Sequence, residues 1–568
     1  MKNDNYILGL NAYGFNTSAT LLKNGILIGA IEEERLSREK RTRKFPINSI
    51  KYLLNLEKIK IENLKAIAIS WNPSINLEKF DKNKSENLTY LPDILHSVPN
   101  HLIKILKNFD KKHFKQEIII NKNKSLPIYY VNHHLSHASN FYFSSFKNSS
   151  ILTVDAFGEN QTTSFYKGSP NSIELLWKQE FPHSLGSFYS TFTEFCGFAP
   201  QNDEWKLMGA SAYGNSNKYY KKIKALVDLI PGKGFELNLK YFNHYLFHRP
   251  KYYNEKLSEY LNVSPNIKNN LNKNYYDICA ASQKVFEETY FHLMNSLYKM
   301  NKNENLVVSG GCALNCLANG KILSKTKFKN IFVPPMPDDS GAGTGAAYYV
   351  HKEIFKSKSN FVLKHNFLGP SFSNKNIIDV LKRFKLKYVF CKDPTLDAAI
   401  SISKSKIIGW FQDRIEFGDR ALGNRSILAD PRKKDMKDRV NLSVKYRENF
   451  RPFAPAVLEE YSKVFFEDNQ KSIFMEKTLK IKKIKRDLVP AVTHEDGTGR
   501  LQTVNKKNNQ KFYKLINNFY KITNIPLVLN TSLNYKGDPM ACSPEDAVKT
   551  FYLSGLDELY MGNLKIFK

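Results

Sequence analysis

Cysteine is scarce in this chain. Its six cysteines, at positions 196, 279, 312, 316, 391 and 542 of 568, show no disulfide spacing, and the Cys312-x-x-x-Cys316 pair has no second Cys or His pair nearby to complete a zinc site. That excludes a disulfide-stapled scaffold and predicts a reducing compartment, read here as the cytoplasm. No run of 18 apolar residues occurs, and the first residues lack a small-residue cleavage site, so neither a membrane span nor a secretory leader is expected. Acidic residues are also in deficit, 54 against 85 Lys and Arg, a formal net charge of +31. Such a charge raises nucleic acid as a partner. Yet the lysines are spread among asparagines and isoleucines, and the local clusters, Arg35 to Lys44 and Lys477 to Arg486, come without a helix-turn-helix, zinc-finger or aromatic-basic pattern. Phosphate-bearing small substrates account for the charge as well as RNA does, so no nucleic-acid or membrane partner is expected.

What the chain does have is size, and a dense histidine cluster. At 568 residues, with 42% hydrophobic and 13% aromatic residues, it is too long for one core. The Ser/Lys-rich stretch within residues 355–366 marks a boundary between domains spanning residues 1–360 and 361–568. In the first, Val131-Asn132-His133-His134-Leu135-Ser136-His137-Ala138 packs three of 13 histidines into five positions after an apolar strand. With Asn132 as helix cap, His133 and His137 fall one turn apart on one face and can share a metal ion. A hydrogen-bonded histidine cluster is the alternative. The acidic glycine turn Asp338-Asp339-Ser340-Gly341-Ala342-Gly343, entering a helix from about Ala346, supplies Asp339 as third ligand.

The first thirty residues read as three strands, Tyr6 to Leu10, Ala19 to Lys23 and Ile26 to Ile31. The pattern returns 144 residues later: Asn11-Ala12-Tyr13-Gly14 matches Asp155-Ala156-Phe157-Gly158, and Ser18 to Lys23 matches Thr162 to Lys167. Two such hairpins, each ending in a small-residue turn that exposes backbone N–H groups, face each other across the nucleotide cleft of the actin-like ATPase architecture. Asp155 in the second of these turns is a candidate catalytic residue. A third turn, Ser309-Gly310-Gly311-Cys312-Ala313-Leu314-Asn315, follows the strand Leu306 to Val308 and opens onto a helix, making Gly310, Gly311 and Asn315 anion-binding candidates.

The second domain carries its polar residues in blocks. Arg420 and Arg425 lie in Gly418-Asp419-Arg420-Ala421-Leu422-Gly423-Asn424-Arg425, and Lys445, Arg447 and Arg451 in the block from Lys445 to Pro455. Arg500 closes His494 to Arg500, and Asn530, Ser532 and Asn534 follow the apolar strand Ile525 to Leu529. Guanidinium forks among glycines, hydroxyls and prolines suit a concave site for a dianion.

Together these blocks, GDRALGNRSILADPR, KYRENFRPFAPAVL, HEDGTGRLQTV and NTSLNYKGDPM, resemble the C-terminal blocks of the NodU/CmcH family of carbamoyltransferases, the tobramycin-modifying type, and the similarity runs nearly end to end. The resemblance implies an α/β protein with a duplicated actin-like (ASKHA) first domain and a YrdC-like second domain. It implies that the second domain joins carbamoyl phosphate and ATP into carbamoyl-adenylate. The first would then pass the carbamoyl group to a hydroxyl of a small-molecule or saccharide acceptor. The implied metal is iron, although the residues alone permit zinc or manganese. His134, off the face of its two neighbours, is the candidate to contact the carbamoyl group or act as base. Two departures stand out: the first turn has Gly14-Phe15-Asn16 where many relatives carry a histidine, so that the resemblance leaves that catalytic role to Asn16, to His134 or to the substrate, and Asp419 replaces the proline of the motif GPRALG, which should loosen that loop. A tRNA threonylcarbamoyl-type transferase is the alternative function; a homodimer is one option for an oligomeric state the sequence leaves open.

Overall fold

The computed structural model describes residues 4–12, 14, 16–73, 112–122, 124–246, 251–267 and 270–568. Tyr13 and Phe15 of the first turn, and most of the polar insertion that precedes Lys124, lie outside the described residues. The fold is mixed α/β. Its contacts divide the chain into two units, one of residues 1–30 and 43–363, the other of 31–42 and 364–568. Nothing in the local residue pattern signals that residues 31–42 leave the first unit. The reason is packing: buried Glu32 accepts from the Gly418 amide, Arg35 donates to the Gly418 carbonyl, and Arg38 donates to the Pro539 and Met540 carbonyls.

In the first unit, strands β1 (Tyr6–Asn11), β2 (Ser18–Lys23), β3 (Ile26–Glu32), β4 (Leu64–Ile69), β5 (His113–Asn121) and β6 (Lys124–Val131) form a sheet in the order β3-β2-β1-β4-β6-β5. A second sheet combines β7 (Ser149–Gly158), β8 (Gln161–Ser169) and β9 (Ser172–Glu180) with two later strands; β10 (Val227–Leu229) and β11 (Phe235–Leu237) pair separately. Those later strands are β12 (Asn305–Ser309) and β13 (Asn330–Phe332), giving the order β13-β12-β7-β8-β9. In each sheet an antiparallel three-strand meander is extended on its first strand by two parallel strands. The repeat in the sequence is therefore a repeat of topology. Buried Leu8, Leu10, Leu21, Leu53 and Ile128 pack the first sheet against the helix Ile47–Leu56.

One helix starts earlier than its sequence suggests. The helix expected from about Ala346 spans Asp339–Tyr349, so the glycines that read as a turn lie inside it. They are there for close approach: a Cβ on Gly343 would meet the Leu10 and Asn11 backbone at 2.6 Å, and one on Gly345 the Ser136 carbonyl at 1.8 Å. Glycine weakens a helix interior, but here it lets the helix press against β1 and the histidine helix, delivering Asp339 from its first turn.

The second unit is built on β14 (Val389–Phe390), β15 (Ile408–Phe411), β16 (Arg425–Ala429), β17 (Ala454–Leu458), β18 (Lys477–Lys480), β19 (Thr498–Val504), β20 (Leu527–Ser532), β21 (Glu558–Met561) and β22 (Leu564–Phe567). They form one mixed sheet in the order β14-β22-β21-β15-β16-β20-β17-β19-β18. Helices Pro394–Ser403 and Gln510–Thr523 bury Ile402, Phe512 and Phe519 against Ile408, Leu428 and Val528. β20 runs on to Ser532, so Asn530 is not beyond the strand end as expected; it pairs with Leu428 on one side and Ala454 on the other.

Candidate metal centre and anion site

Asn132 caps the helix His133–Ala138, its Oδ1 accepting from the Leu135 amide at 2.9 Å. One turn of helix then brings the Nε2 atoms of His133 and His137 to 3.0 Å from each other. Asp155 Oδ2, from β7, lies 3.1 Å from His137 Nε2 and 3.5 Å from His133 Nε2. Asp339 Oδ1 lies 3.4 Å and 3.6 Å from the same two nitrogens. Among the described residues no other group of three or more His, Cys, Asp or Glu donors converges in this way.

These separations suit a shared ion. Donors bonded at about 2.1 Å to one ion stand about 3.0 Å apart at octahedral corners and about 3.4 Å at tetrahedral ones. The outer ring nitrogens point the same way: His133 Nδ1 lies 3.1 Å from the Ser70 carbonyl and His137 Nδ1 3.4 Å from Ser309 Oγ. Ser309 Oγ itself donates to the Pro337 carbonyl, so both Nδ1 atoms carry a proton and both Nε2 atoms face inward, where loss of any proton there would offer two lone pairs to an ion. Two imidazole nitrogens and two carboxylates then meet in a largely buried space, where Asp155 Oδ2 has the ring nitrogens beside it and no other donor. Burial opposes charge on His133, but the Asp339 and Asp155 carboxylates prevail and hold its pKa well above the histidine range. Burial likewise pushes Asp155 up, and the two rings hold it well below the carboxylate range. Protons or one dication must supply positive charge here; the donor set, two imidazoles and two carboxylates, fits a first-row dication. The ring of His133 has room because residue 158 is glycine: a Cβ there would lie 2.3 Å from His133 Cδ2.

In the second unit, Lys445 is 6% exposed, and its ammonium is within reach of the Ser532 carbonyl and Oγ and of Asn534 Oδ1, the last at 2.6 Å. Ser532 Oγ donates to Asn534 Oδ1 at 2.7 Å. Burial, then the charges of Arg447, Arg451 and Lys40, drive the Lys445 pKa well below the lysine range. Arg447 is oriented by Asn441 Oδ1 at 2.7 Å and lies over the Phe453 ring at 4.5 Å. Lys40, from the strap of residues 31–42, is lowered by burial and by Arg451, Arg35 and Arg41, with Asp419 opposing. Four cations thus crowd one partly desolvated region, an arrangement that favours a multiply charged anion.

Residues 6–348, more than half of the chain, match the protein family described as Carbamoyltransferase N-terminus, and residues 399–568 match Carbamoyltransferase C-terminus. The chain belongs to the carbamoyltransferase family. This carbamoyltransferase is 34% identical over 605 aligned residues to the uncharacterized protein sll1178 of Synechocystis, covering 99% of this chain and 97% of that one. It is 33% identical to nodulation protein NolNO of Sinorhizobium fredii, covering 98% and 80%. Among solved structures, component A of (R)-2-hydroxyglutaryl-CoA dehydratase from Acidaminococcus fermentans aligns with a TM-score of 0.34 at 13% identity, over 61% of this chain and 98% of that one, too loose to bear on the fold.

The carbamoyltransferase structure redistributes several of the residues singled out from sequence. His134 is fully buried, with Nδ1 2.8 Å from Thr153 Oγ1 and Nε2 3.1 Å from the Gln161 carbonyl. Burial, then the His133 charge, pushes its pKa down to about 3. Both nitrogens are occupied, which counts against His134 as carbamoyl contact or base. Arg425 is likewise fully buried, donating to the carbonyls of Gln412, Asp413, Asn424 and Pro370 and stacking 3.6 Å over Phe411. It braces the loop and cannot reach a ligand. The amide of Gly310 is spent on the Pro337 carbonyl at 2.6 Å, and Asn315 caps its helix and pairs with Gln283. Gly311 stays beside Asp155, 3.0 Å from Oδ1 for an added Cβ. Asn16 donates to Asp338 Oδ2 at 2.7 Å, bracing the turn ahead of Asp339.

Arg420 sits beside Asp419, Arg451 pairs with Glu448 at 3.5 Å and Arg500 donates to the Met475 carbonyl at 2.8 Å. Asp419, expected to loosen its loop, faces Arg420, Arg41, Arg35 and Lys40 and partly balances them. Sequence reasoning missed one site residue, Lys40, which was visible only as part of a basic cluster. Asp155, singled out from the repeat as a catalytic candidate, instead joins the histidines and Asp339 in the group of possible metal ligands.

Proposed function

We propose that this enzyme is an ATP-dependent O-carbamoyltransferase working in two steps. In the second unit, Lys445, Arg447, Arg451 and Lys40 bind the phosphates of carbamoyl phosphate and ATP, with Arg420 and Arg500 at the margin. Carbamoyl phosphate gives up its phosphate to water, and the carbamate oxygen displaces pyrophosphate from the α-phosphorus of ATP. The product, carbamoyl-adenylate, carries a good leaving group, AMP. In the first unit an acceptor hydroxyl attacks the carbamoyl carbon, its proton is lost and AMP departs. That unit is read as actin-like and the second as YrdC-like.

His133, His137, Asp155 and Asp339 would hold one divalent metal, iron by family resemblance. Such an ion supplies Lewis acidity toward a carbonyl or phosphate oxygen. Around it, Asn16 fixes Asp338, and Asn132 sets the histidine helix. Gly311 spares Asp155 Oδ1 the crowding a Cβ would bring at 3.0 Å. The acceptor is read as a small molecule or saccharide.

The observation that carries this reading is Lys445, desolvated among three other cations and held by Ser532 and Asn534. A structural lysine would be matched with an acid at that depth; here a dianionic ligand does the matching. The test is pyrophosphate release from ATP by the purified chain with and without carbamoyl phosphate, followed by mass analysis of cell extract for a gain of one carbamoyl group. Release of ADP in place of AMP and pyrophosphate would identify a kinase and overturn the reading.

A further inference from the structure

The second hairpin turn contains a residue that a turn does not need. Glu159 follows Gly158 with a φ of 43°, a left-handed backbone in which Gly or Asn is at ease and a longer side chain is disfavoured. It is also a carboxylate only 2% exposed. A residue kept at such a disfavoured place, and buried there, points to a role for its side chain.

That side chain joins three segments. Oε1 accepts from the Asn72 amide at 2.7 Å, just beyond β4, and from the His133 amide at 2.9 Å. Oε2 accepts from Asn132 Nδ2 at 2.9 Å and from the His133 amide at 3.2 Å. The amide of His133 is the first of its helix and has no partner inside it. On the other side, Asn132 Oδ1 caps Leu135, so Glu159 holds both the start of the helix and its cap. Directly before Glu159, Gly158 backs the His133 ring; Asp155, one of the converging carboxylates, lies on the same strand. The turn therefore sets the position of two histidines relative to an aspartate it also carries.

We propose that Glu159 is a positioning residue for the metal ligands. It fixes the rotation and advance of the His133–Ala138 helix so that both Nε2 atoms meet Asp155 and Asp339. The inference rests on the reading of that cluster as a metal centre. Loss of such outer contacts costs about 10-fold to 100-fold in metal affinity.

The test reverses one hydrogen bond. In Glu159→Gln the new NH2 group faces Asn132 Nδ2, donor against donor. In Glu159→Gln combined with Asn132→Asp, the Gln donates and the Asp accepts, while the other Asp oxygen still caps Leu135; the charge of the pair is unchanged. Co(II) affinity of the full metal-free chain would be measured by absorbance for wild type, E159Q and the double variant, beside the thermal midpoint of each without metal. We expect E159Q to bind Co(II) at least about tenfold more weakly, and the double variant to recover to within about threefold of wild type. E159Q binding Co(II) like wild type, whatever its thermal midpoint, would overturn the proposal, as would a folded double variant no tighter than E159Q. Should E159Q fail to fold, the double variant alone decides: near-wild-type affinity supports the role, weak affinity overturns it. If the wild-type chain binds no Co(II), the metal reading of the cluster fails, and this inference with it.

Discussion

The Nε2 atoms of His133 and His137 stand 3.0 Å apart while their Nδ1 atoms turn outward to Ser70 and Ser309. Two imidazoles held this way present lone pairs to one point, and Asp155 and Asp339 add two carboxylates. Metal analysis of the purified chain should find about one ion. Alanine at His133, Asp155 or Asp339 should each lower that content severalfold; wild-type content in all three variants would mean the ion lies elsewhere.

His134 should behave as framework. A positioned general base contributes about 100-fold or more to a rate. With Thr153 and the Gln161 carbonyl occupying both nitrogens, His134→Gln is expected to lower the thermal midpoint and to leave carbamoyl transfer per folded molecule within about tenfold of wild type. A loss of about 100-fold at unchanged stability would restore His134 as base.

The arginines of the second unit divide the same way. Arg425 donates to four backbone carbonyls out of contact with solvent, and each buried group left unsatisfied costs about 1–3 kcal/mol. Arg425→Met should therefore destabilise the protein by roughly 3 kcal/mol or more, read by urea unfolding. An R425M protein of wild-type stability that failed to release pyrophosphate would make Arg425 a ligand residue.

Lys40 gives the opposite signature. Lys40 is exposed to solvent in the strap; partial desolvation and then Arg451, Arg35 and Arg41 disfavour its charge, while Asp419 favours it, so Lys40→Ala should change the stability of the ligand-free protein little. The same change should raise the KM for ATP or carbamoyl phosphate by about tenfold or more, one charge-assisted contact being lost. Unchanged KM values with reduced stability would make Lys40 part of the strap alone.

How much of this was legible beforehand follows from which constraints are local. The helix cap at Asn132, the one-turn spacing of His133 and His137, and the repeat that pairs the turn at Gly14 with that at Gly158 are written in consecutive residues. The same is true of Lys445 and Arg447. Other features are not local. That Ile31 to Thr42 joins the second unit depends on Gly418, Pro539 and Met540, hundreds of residues away. Gly341 and Gly343 looked like a turn because a glycine needed for close helix contact and one needed for a bend are the same letter. Arg425 and Arg451 could not be told apart from spacing, since what separates them is which carbonyls surround the guanidinium. His134 failed for the same reason: its position off the ligand face was clear, but its partners on β7 and at Gln161 were not.

The most direct test of a reaction split into two steps is carbamoyl-phosphate-dependent pyrophosphate release by the wild type, Arg451→Ala and His137→Ala. The account predicts that R451A abolishes the release, while H137A releases pyrophosphate at near the wild-type rate and forms no carbamoylated product. Equal loss of pyrophosphate release in both variants would contradict it.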